Sequence, residues 1–348
     1  MEGNIPGITP TGLNILSKDL SYSLFFKDNR DLLRVIDPIP LASFPKYDSK
    51  RDVKNEFKLL LKMTENLNFD ELKIAYDADI FKLNRYSNIL PYKHSMVSLT
   101  NPDQEIPSKT DRYINANFIY NPYTAQSKPT WIATQGPMPV TYGHFWRMVW
   151  QQNSRKVLML NGCSDEGKSP DLYFPENVDS ETQRHSDFEV SVMEFQPVNQ
   201  FYHTRELELK NLRSGEIRRV THYNVVGWPD KKTPPVGSTD AFEELLGLLA
   251  EVGIDQEEPI EPMVLHCAAG IGRTGTFLSL FWLTRLLRKY LGFFKPNKNI
   301  ESFPKLGLSV FGTVRSLREQ RMGLVQNLEQ YEYVYWFMSN TIGKILKK

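Results

Sequence analysis

The sequence predicts an α/β fold: a single large domain whose mixed, highly twisted central sheet is flanked by helices. Three observations predict it. Between residues 113 and 235 six stretches read as strands with one helical interruption; after Gly237 the pattern turns helical around one short strand; and no repeat or linker divides residues 50–345. A chain of 348 residues exceeds the usual single core of about 150, but one large domain can absorb it.

Residues 1–49 contain Gly3, Pro6, Gly7, Pro10, Pro38, Pro40 and Pro45 and show no sustained apolar period, so they read as an N-terminal extension. The domain proper is expected over 50–348. It begins where Val53, Phe57, Leu60 and Leu61 fall at helical spacing, with a second helical stretch over 69–76. Strands are expected at 113–120, 131–134, 156–160, 188–195, 201–209 and 218–226, where β-branched and aromatic residues concentrate. The interrupting helix, 141–152, carries Phe145, Trp146, Met148 and Val149 as its apolar stripe. Helices follow at 239–251, 274–291, 309–320 and 328–345, with a strand at 263–265 and a polar loop over 296–307.

Composition narrows the function classes. The chain is 41% hydrophobic and 24% charged, which suits a packed globular protein. With 42 Lys and Arg against 41 Asp and Glu, no global field draws nucleic acid or anionic membrane. Two cysteines, Cys163 and Cys267, do not make a secreted disulfide scaffold. The first 30 residues hold no apolar run of signal-peptide length, and no run approaches the roughly 18 residues of a membrane span. The expectation is a soluble protein of the reducing cytoplasm.

One string carries the chemistry: Val264-Leu-His-Cys-Ala-Ala-Gly-Ile-Gly-Arg-Thr-Gly275. A short apolar strand runs into His266 and Cys267, and Ala268, Ala269, Gly270, Ile271 and Gly272 form a loop. Arg273 and Thr274 then open a helix. If the loop curls about one centre, its amides and the helix N-terminus make an anion cradle, and Arg273 grips two anion oxygens in a fork. Cys267 at the base of that cradle would be favoured as a thiolate and act as a nucleophile.

This string resembles the phosphate-binding loop of the cysteine-dependent protein tyrosine phosphatases, tyrosine-specific and non-receptor in type, and other segments resemble that family in order. Gly227-Trp-Pro-Asp230 is similar to its acid loop, and Gln326 and Gln330 in Leu324-Val-Gln-Asn-Leu-Glu-Gln-Tyr331 to its water-holding glutamines. Asn84-Arg-Tyr86, with Ile89-Leu-Pro-Tyr92 and His94, resembles its phosphotyrosine-recognition loop. Tyr113-Ile-Asn-Ala116, Ala133-Thr-Gln-Gly-Pro137, Phe145-Trp-Arg-Met-Val-Trp150, Tyr173-Phe-Pro175 and Leu317-Arg-Glu-Gln-Arg321 match in turn and read as core and scaffold.

The resemblance implies hydrolysis of phosphotyrosine on proteins through a cysteinyl-phosphate, a step in signalling, with no cofactor and no metal. Cys267 would be the nucleophile, Arg273 the phosphate clamp and Asp230 the general acid and base. Gln326 and Gln330 would hold the water, and Thr274 would ease thiolate departure. His266 either supports the cysteine by hydrogen bonding or is a core histidine with its bonds satisfied. The loop amides of residues 268 to 273 would bind phosphate or vanadate, and Tyr86 would stack on the substrate ring beside Asn88.

Departures from the pattern are local. Lys231 and Lys232 follow Asp230 where an aromatic and a glycine are usual, Ser87 stands where a basic residue often appears, and Asn88 stands where an aspartate usually grips the peptide. Residues 165–170 are short for the lysine-bearing loop. Either Asp165 or Glu166 could pair with Arg273, and Lys168 is a further candidate near the site.

Overall fold

Four parallel strands at the centre of a nine-stranded sheet set the geometry of the molecule. The computed structural model describes residues 39–49, 52–65, 77–100, 108–123, 128–162, 172–251, 261–292 and 307–347. In chain order the elements are β1 (Ile39–Pro40), a 3-10 helix (Leu41–Ser49), α1 (Val53–Glu65), α2 (Ala78–Phe81), β2 (Met96–Ser98), α3 (Lys109–Arg112), β3 (Tyr113–Ile119) and β4 (Trp131–Thr134). Next come α4 (Tyr142–Gln151), β5 (Lys156–Met159), β6 (Gln183–His185), β7 (Phe188–Pro197), β8 (Tyr202–Asn211) and β9 (Ile217–Val225). The last are α5 (Thr239–Glu251), β10 (Met263–His266), α6 (Gly272–Gly292), β11 (Gly307–Leu308), α7 (Val310–Gln320) and α8 (Leu328–Leu346).

The strand order is β2-β3-β4-β10-β5-β9-β8-β7-β6. Strand β10 lies parallel between β4 and β5, and β5 pairs parallel with β9. The outer pairings are antiparallel, so the sheet is mixed as expected. Side chains alternate across a strand, and that alternation divides the core in two. Trp131, Ala133, Leu158 and Leu265 join the cluster built with α5, α6, α7 and α8, whereas Ile132, Val157, Met159 and Val264 join the cluster under α4. Central parallel strands are covered on both faces, which explains why β10 reads as a continuous apolar run.

Helix α6 is buried nearly all round, from Gly272 through Leu287 except Arg285, as befits a helix at the centre of a layer. Helix α4 buries the expected stripe Phe145, Trp146, Met148 and Val149, and also Arg147, which pairs with Asp187 at 3.2 Å.

Residues 39–49, which composition assigns to the extension, are built into this core. Strand β1 pairs antiparallel with β11, Ile39, Leu41 and Phe44 are buried, and Phe44 stacks on Tyr335 of α8 with ring centroids 6.4 Å apart. A two-residue strand and a 3-10 turn carry neither of the periods by which helices and strands are read. The same shortness hides β2, β6, α2 and α3. The stretch expected to be helical over 69–76 and nearly all of the 296–307 loop lie outside the described residues.

Candidate active site

Three strand ends converge at one edge of the sheet. Strand β10 runs into Cys267, β4 into Gln135 and Gly136, and β9 toward Trp228 and Asp230. All three are C-terminal ends of parallel strands, where open α/β sheets bind ligands.

The loop after β10 is shaped by where its carbonyls go. His266 Nδ1 faces the Cys267 carbonyl at 3.2 Å, and Gly136 N–H donates to the Ala268 carbonyl at 2.8 Å. Arg321 donates to the Ala269 carbonyl through Nη2 at 3.2 Å and to the Gly270 carbonyl through Nε at 2.8 Å. The Ile271 carbonyl accepts from Gly275 and Val325 N–H. In a planar trans peptide the N–H points opposite to the C=O. Five successive carbonyls tied to the scaffold therefore turn the amides of residues 268 to 272 toward the loop's own centre, which is the geometry of an anion nest. Gly270 makes the turn with φ 69°, and a Cβ there would stand 2.1 Å from the Thr134 carbonyl oxygen.

Cys267, only 3% exposed, lies at the base of this nest, and Thr274 Oγ1 donates to its Sγ at 3.3 Å. Arg321 anchors the nest from below; its Nη1 and Nη2 also donate to Asn117 Oδ1 at 2.7 Å and Asn115 Oδ1 at 3.0 Å. Burial pulls the Arg321 guanidinium down to about 10.

His266 meets both readings of its sequence position. Its Nε2 is 2.7 Å from the Tyr173 hydroxyl, which is itself 2.9 Å from His222 Nε2. Since a carbonyl only accepts, Nδ1 of His266 carries the proton toward Cys267. Tyr173 then donates to His266 Nε2 and accepts from His222 Nε2. Burial drives His266 down to about 3 and His222 well below the usual imidazole value, so both rings are neutral. His266 thus has its bonds satisfied in the core, and it supports the cysteine through the backbone carbonyl.

Arg273 reaches over the nest toward the loop after β9. Its Nη1 donates to the Trp228 carbonyl at 2.8 Å and its Nη2 to Asp230 Oδ1 at 3.0 Å. The Trp228 ring is buried, and its Nε1 donates to the Lys232 carbonyl at 2.8 Å, closing the loop on itself. Lys231 adopts a left-handed φ of 57° with its side chain exposed.

Gln326 approaches from the turn before α8 and Gln330 from its first turn. Gln330 is fully buried, and its Oε1 accepts from Gln326 N–H at 3.0 Å. A Cβ on Gly272 would lie 2.9 Å from Gln326 Oε1 and 3.1 Å from Gln330 Nε2, which places both amides against the rim of the nest. Val325 holds φ 62°, a region that strains a β-branched residue, and Arg318 Nη2 pins its carbonyl at 2.7 Å.

Tyr86 and Asn88 belong to a turn tethered beside the nest. Gln135 accepts from Arg85 N–H at 2.9 Å and donates to the Leu83 carbonyl at 2.9 Å, while Arg85 reaches the Gly136 and Pro137 carbonyls. Tyr86 is half-buried and Asn88 exposed. Cys163, Asp165, Glu166 and Lys168 lie outside the described residues.

Sequence reasoning left Arg321 and Tyr173 as scaffold and passed over His222 and Asn327. Arg321 and Tyr173 sit in segments that the sequence marks, but their contacts are long-range. No group of three or more His, Cys, Asp or Glu able to hold a metal occurs among the described residues, and no helix there is long and apolar enough to cross a membrane.

Residues 81–340 match the family model described as protein-tyrosine phosphatase. Tyrosine-protein phosphatase non-receptor type 5 of Mus musculus is 35% identical over 279 residues, covering 78% of this chain and 45% of its own length. The chain thus spans about half the length of such relatives. The catalytic domain of human protein tyrosine phosphatase non-receptor type 18 matches with a TM-score of 0.71 at 25% identity, over 86% of this chain and 99% of that one. PTPN18 in complex with HER2 phosphopeptides matches with a TM-score of 0.70, also at 25% identity, over 86% of this chain and 96% of that chain.

Proposed function

The chain belongs to the protein-tyrosine phosphatase family, and from that premise we propose that it hydrolyses phosphotyrosine on proteins through a cysteinyl-phosphate. The observation that carries the proposal is the nest itself: carbonyls 267–271 tied outward, with Cys267 at the base and Arg273 at the rim. Such a nest complements three equatorial phosphoryl oxygens, where charge accumulates in the transition state.

In the first step the Cys267 thiolate attacks phosphorus. An S–P bond forms as the P–O bond to the tyrosine breaks, and the leaving oxygen takes a proton from Asp230. A phosphoryl group entering the nest competes for Arg273 Nη2, which Asp230 now holds. In the second step a water held by Gln326 and Gln330 attacks phosphorus and gives its proton to Asp230. The S–P bond breaks, and the Thr274 hydroxyl, already 3.3 Å from the sulfur, receives the returning thiolate.

Residues 50–348 are taken as the body of the catalytic domain, residues 1–49 as an extension whose Ile39, Leu41 and Phe44 pack into it, and the protein as a cytoplasmic enzyme of phosphotyrosine signalling. The test is a panel of matched phosphotyrosine and phosphoserine peptides, a phosphoinositide and a small aryl phosphate, with and without vanadate. Phosphotyrosine turnover blocked by vanadate is expected, with Cys267→Ser inactive yet still binding phosphopeptide. Comparable kcat/KM on the phosphoserine peptide would replace the tyrosine-specific reading with a dual-specificity one.

A further inference from the structure

Asn327 joins the two segments that meet above the nest. Its Oδ1 accepts from Gln330 N–H at 2.9 Å, capping the N-terminus of α8, and its Nδ2 donates to the Lys231 carbonyl at 2.8 Å. The orientation of the amide is set by its partners, because a backbone N–H only donates and a carbonyl only accepts. One side chain therefore closes the helix that carries Gln330 and fastens it to the residue after Asp230.

The fastened residue is the strained one. Lys231 has φ 57°, a conformation that a lysine keeps only where its surroundings over-determine it, and its exposed side chain does no holding. The hold comes through the backbone. Trp228 Nε1 and Gln330 Nε2 reach the Lys232 carbonyl at 2.8 and 3.4 Å, and Asn327 takes the carbonyl of Lys231 itself. The Lys232–Glu329 pair, at 3.3 Å, is exposed on both sides and adds little.

We propose that Asn327 is a positioning residue for both steps of the reaction: through the Lys231 carbonyl it holds Asp230 over the nest, and through its cap it holds the turn that presents Gln326 and Gln330. This role rests on the phosphatase reading above. Asparagine suits it because the position needs an acceptor for the helix and a donor for the loop. Aspartate and serine supply the acceptor but offer the carbonyl no equivalent donor.

The test separates cap from tie. Asn327→Asp and Asn327→Ser keep a capping oxygen and lose the tie; Asn327→Ala loses both. The readouts are Tm, kcat and KM on a phosphotyrosine peptide, and amide hydrogen exchange over residues 228–232. For Asp and Ser, Tm should stay at the wild-type value and KM within about twofold, while kcat falls about three- to tenfold, the weight of one neutral hydrogen bond. Exchange over 228–232 should quicken. Asn327→Ala should lower Tm as well. Wild-type kcat and wild-type exchange in both Asp and Ser would overturn the proposal, as would a fall in kcat that only tracks a fall in Tm. If the wild-type chain hydrolyses no aryl phosphate, the phosphatase reading fails, and the exchange data still decide whether Asn327 holds the loop.

Discussion

Arg273 and Asp230 are bonded to each other: Nη2 of a guanidinium that is 1% exposed donates at 3.0 Å to a carboxylate that is 34% exposed. The residue read as phosphate clamp and the residue read as acid are therefore joined by one hydrogen bond, donated by the arginine, and its second fork holds the Trp228 carbonyl. The guanidinium ties the loop after β9 to the nest at its Trp228–Asp230 end, while Asn327 and Gln330 tie it at Lys231 and Lys232. That arrangement separates the effects of three substitutions.

Asp230→Asn keeps a carbonyl oxygen able to accept from Arg273 but has no proton to give, so loop position and proton transfer come apart. A kcat lower by about 10² to 10⁴ on a phosphotyrosine peptide is expected, with phosphate affinity close to wild type. Asp230→Ala should lose rate to the same order. Arg273→Lys keeps the charge but cannot hold Trp228 and Asp230 at once, so both binding and rate should fall. Steady-state kinetics with vanadate inhibition constants check all three; an unchanged kcat in Asp230→Asn would assign the acid elsewhere.

Arg321 has no contact with the thiol in the hydrogen-bond network, yet the nest hangs from it. Its guanidinium serves the Ala269 and Gly270 carbonyls and the side chains of Asn115 and Asn117. Arg321→Met would leave these buried acceptors unmatched, at a cost of about 3 kcal/mol or more in stability. Phosphate binding should be lost disproportionately, because two of the five outward carbonyls go free. Denaturant unfolding, with phosphate binding measured on the folded fraction, tests this; a stable variant with wild-type binding would contradict it.

The neutral pair His266 and His222 makes an acid-sensitive core. The sign follows from linkage. His266 is depressed to about 3 in the folded state, so between the ordinary imidazole value and that value the unfolded chain binds a proton that the folded chain refuses, and stability falls as pH falls through the window. Arg85 and Arg273 depress it further, burial being the largest cause, while the bond to the Cys267 carbonyl opposes them. At pH 5 the cost from His266 alone is about 2 kcal/mol, and His222 adds to it in the same direction. Urea unfolding at pH 7 and pH 5 should show the loss, and His266→Asn should show a smaller one. An equal slope in the variant would locate the acid sensitivity in other groups.

The string from Val264 to Gly275 was legible because one contiguous run encodes strand, cradle and helix start, each with its own local chemistry. Asp230 and the two glutamines were placed by the resemblance alone, since by themselves Trp-Pro-Asp reads as a turn and two glutamines four apart as a solvated helix face. His222 and Tyr173 were not visible as partners of His266, because the parallel register of β10, β5 and β9 brings His222 near His266, and Tyr173 reaches both from a segment between β5 and β6 that belongs to no strand. Asn327 was passed over in sequence: its oxygen becomes a cap only where α8 starts, and its amide donor acquires meaning only when the loop after Asp230 folds over it. The fold was legible in its long strands and helices, where period and length speak. It was illegible where two or three residues make an edge pairing, as in β1, β6 and β11.

On the proposed phosphatase reading, selectivity for phosphotyrosine would rest on the Tyr86 turn as the wall beside the nest. The Tyr86 turn is fixed in place through Gln135 and Arg85, whose partners are residues 135–137, and Gly136 in turn bonds Ala268 of the nest. A phosphotyrosine carries its phosphorus several ångströms farther from the peptide than phosphoserine does, so if Tyr86 stands above the nest as proposed, the longer side chain would reach it and the shorter one would not. Stacking of Tyr86 on the substrate ring would add about 0.5 to 1.5 kcal/mol beyond burial. Tyr86→Ala should therefore raise KM for phosphotyrosine peptides about two- to tenfold and leave KM for a small aryl phosphate less affected, with kcat changing little. Gln135→Ala, which frees the turn without touching the ring, should reproduce part of that effect. If Tyr86→Ala leaves peptide KM unchanged, the wall is made by other residues, and phosphoserine peptides should then be compared directly.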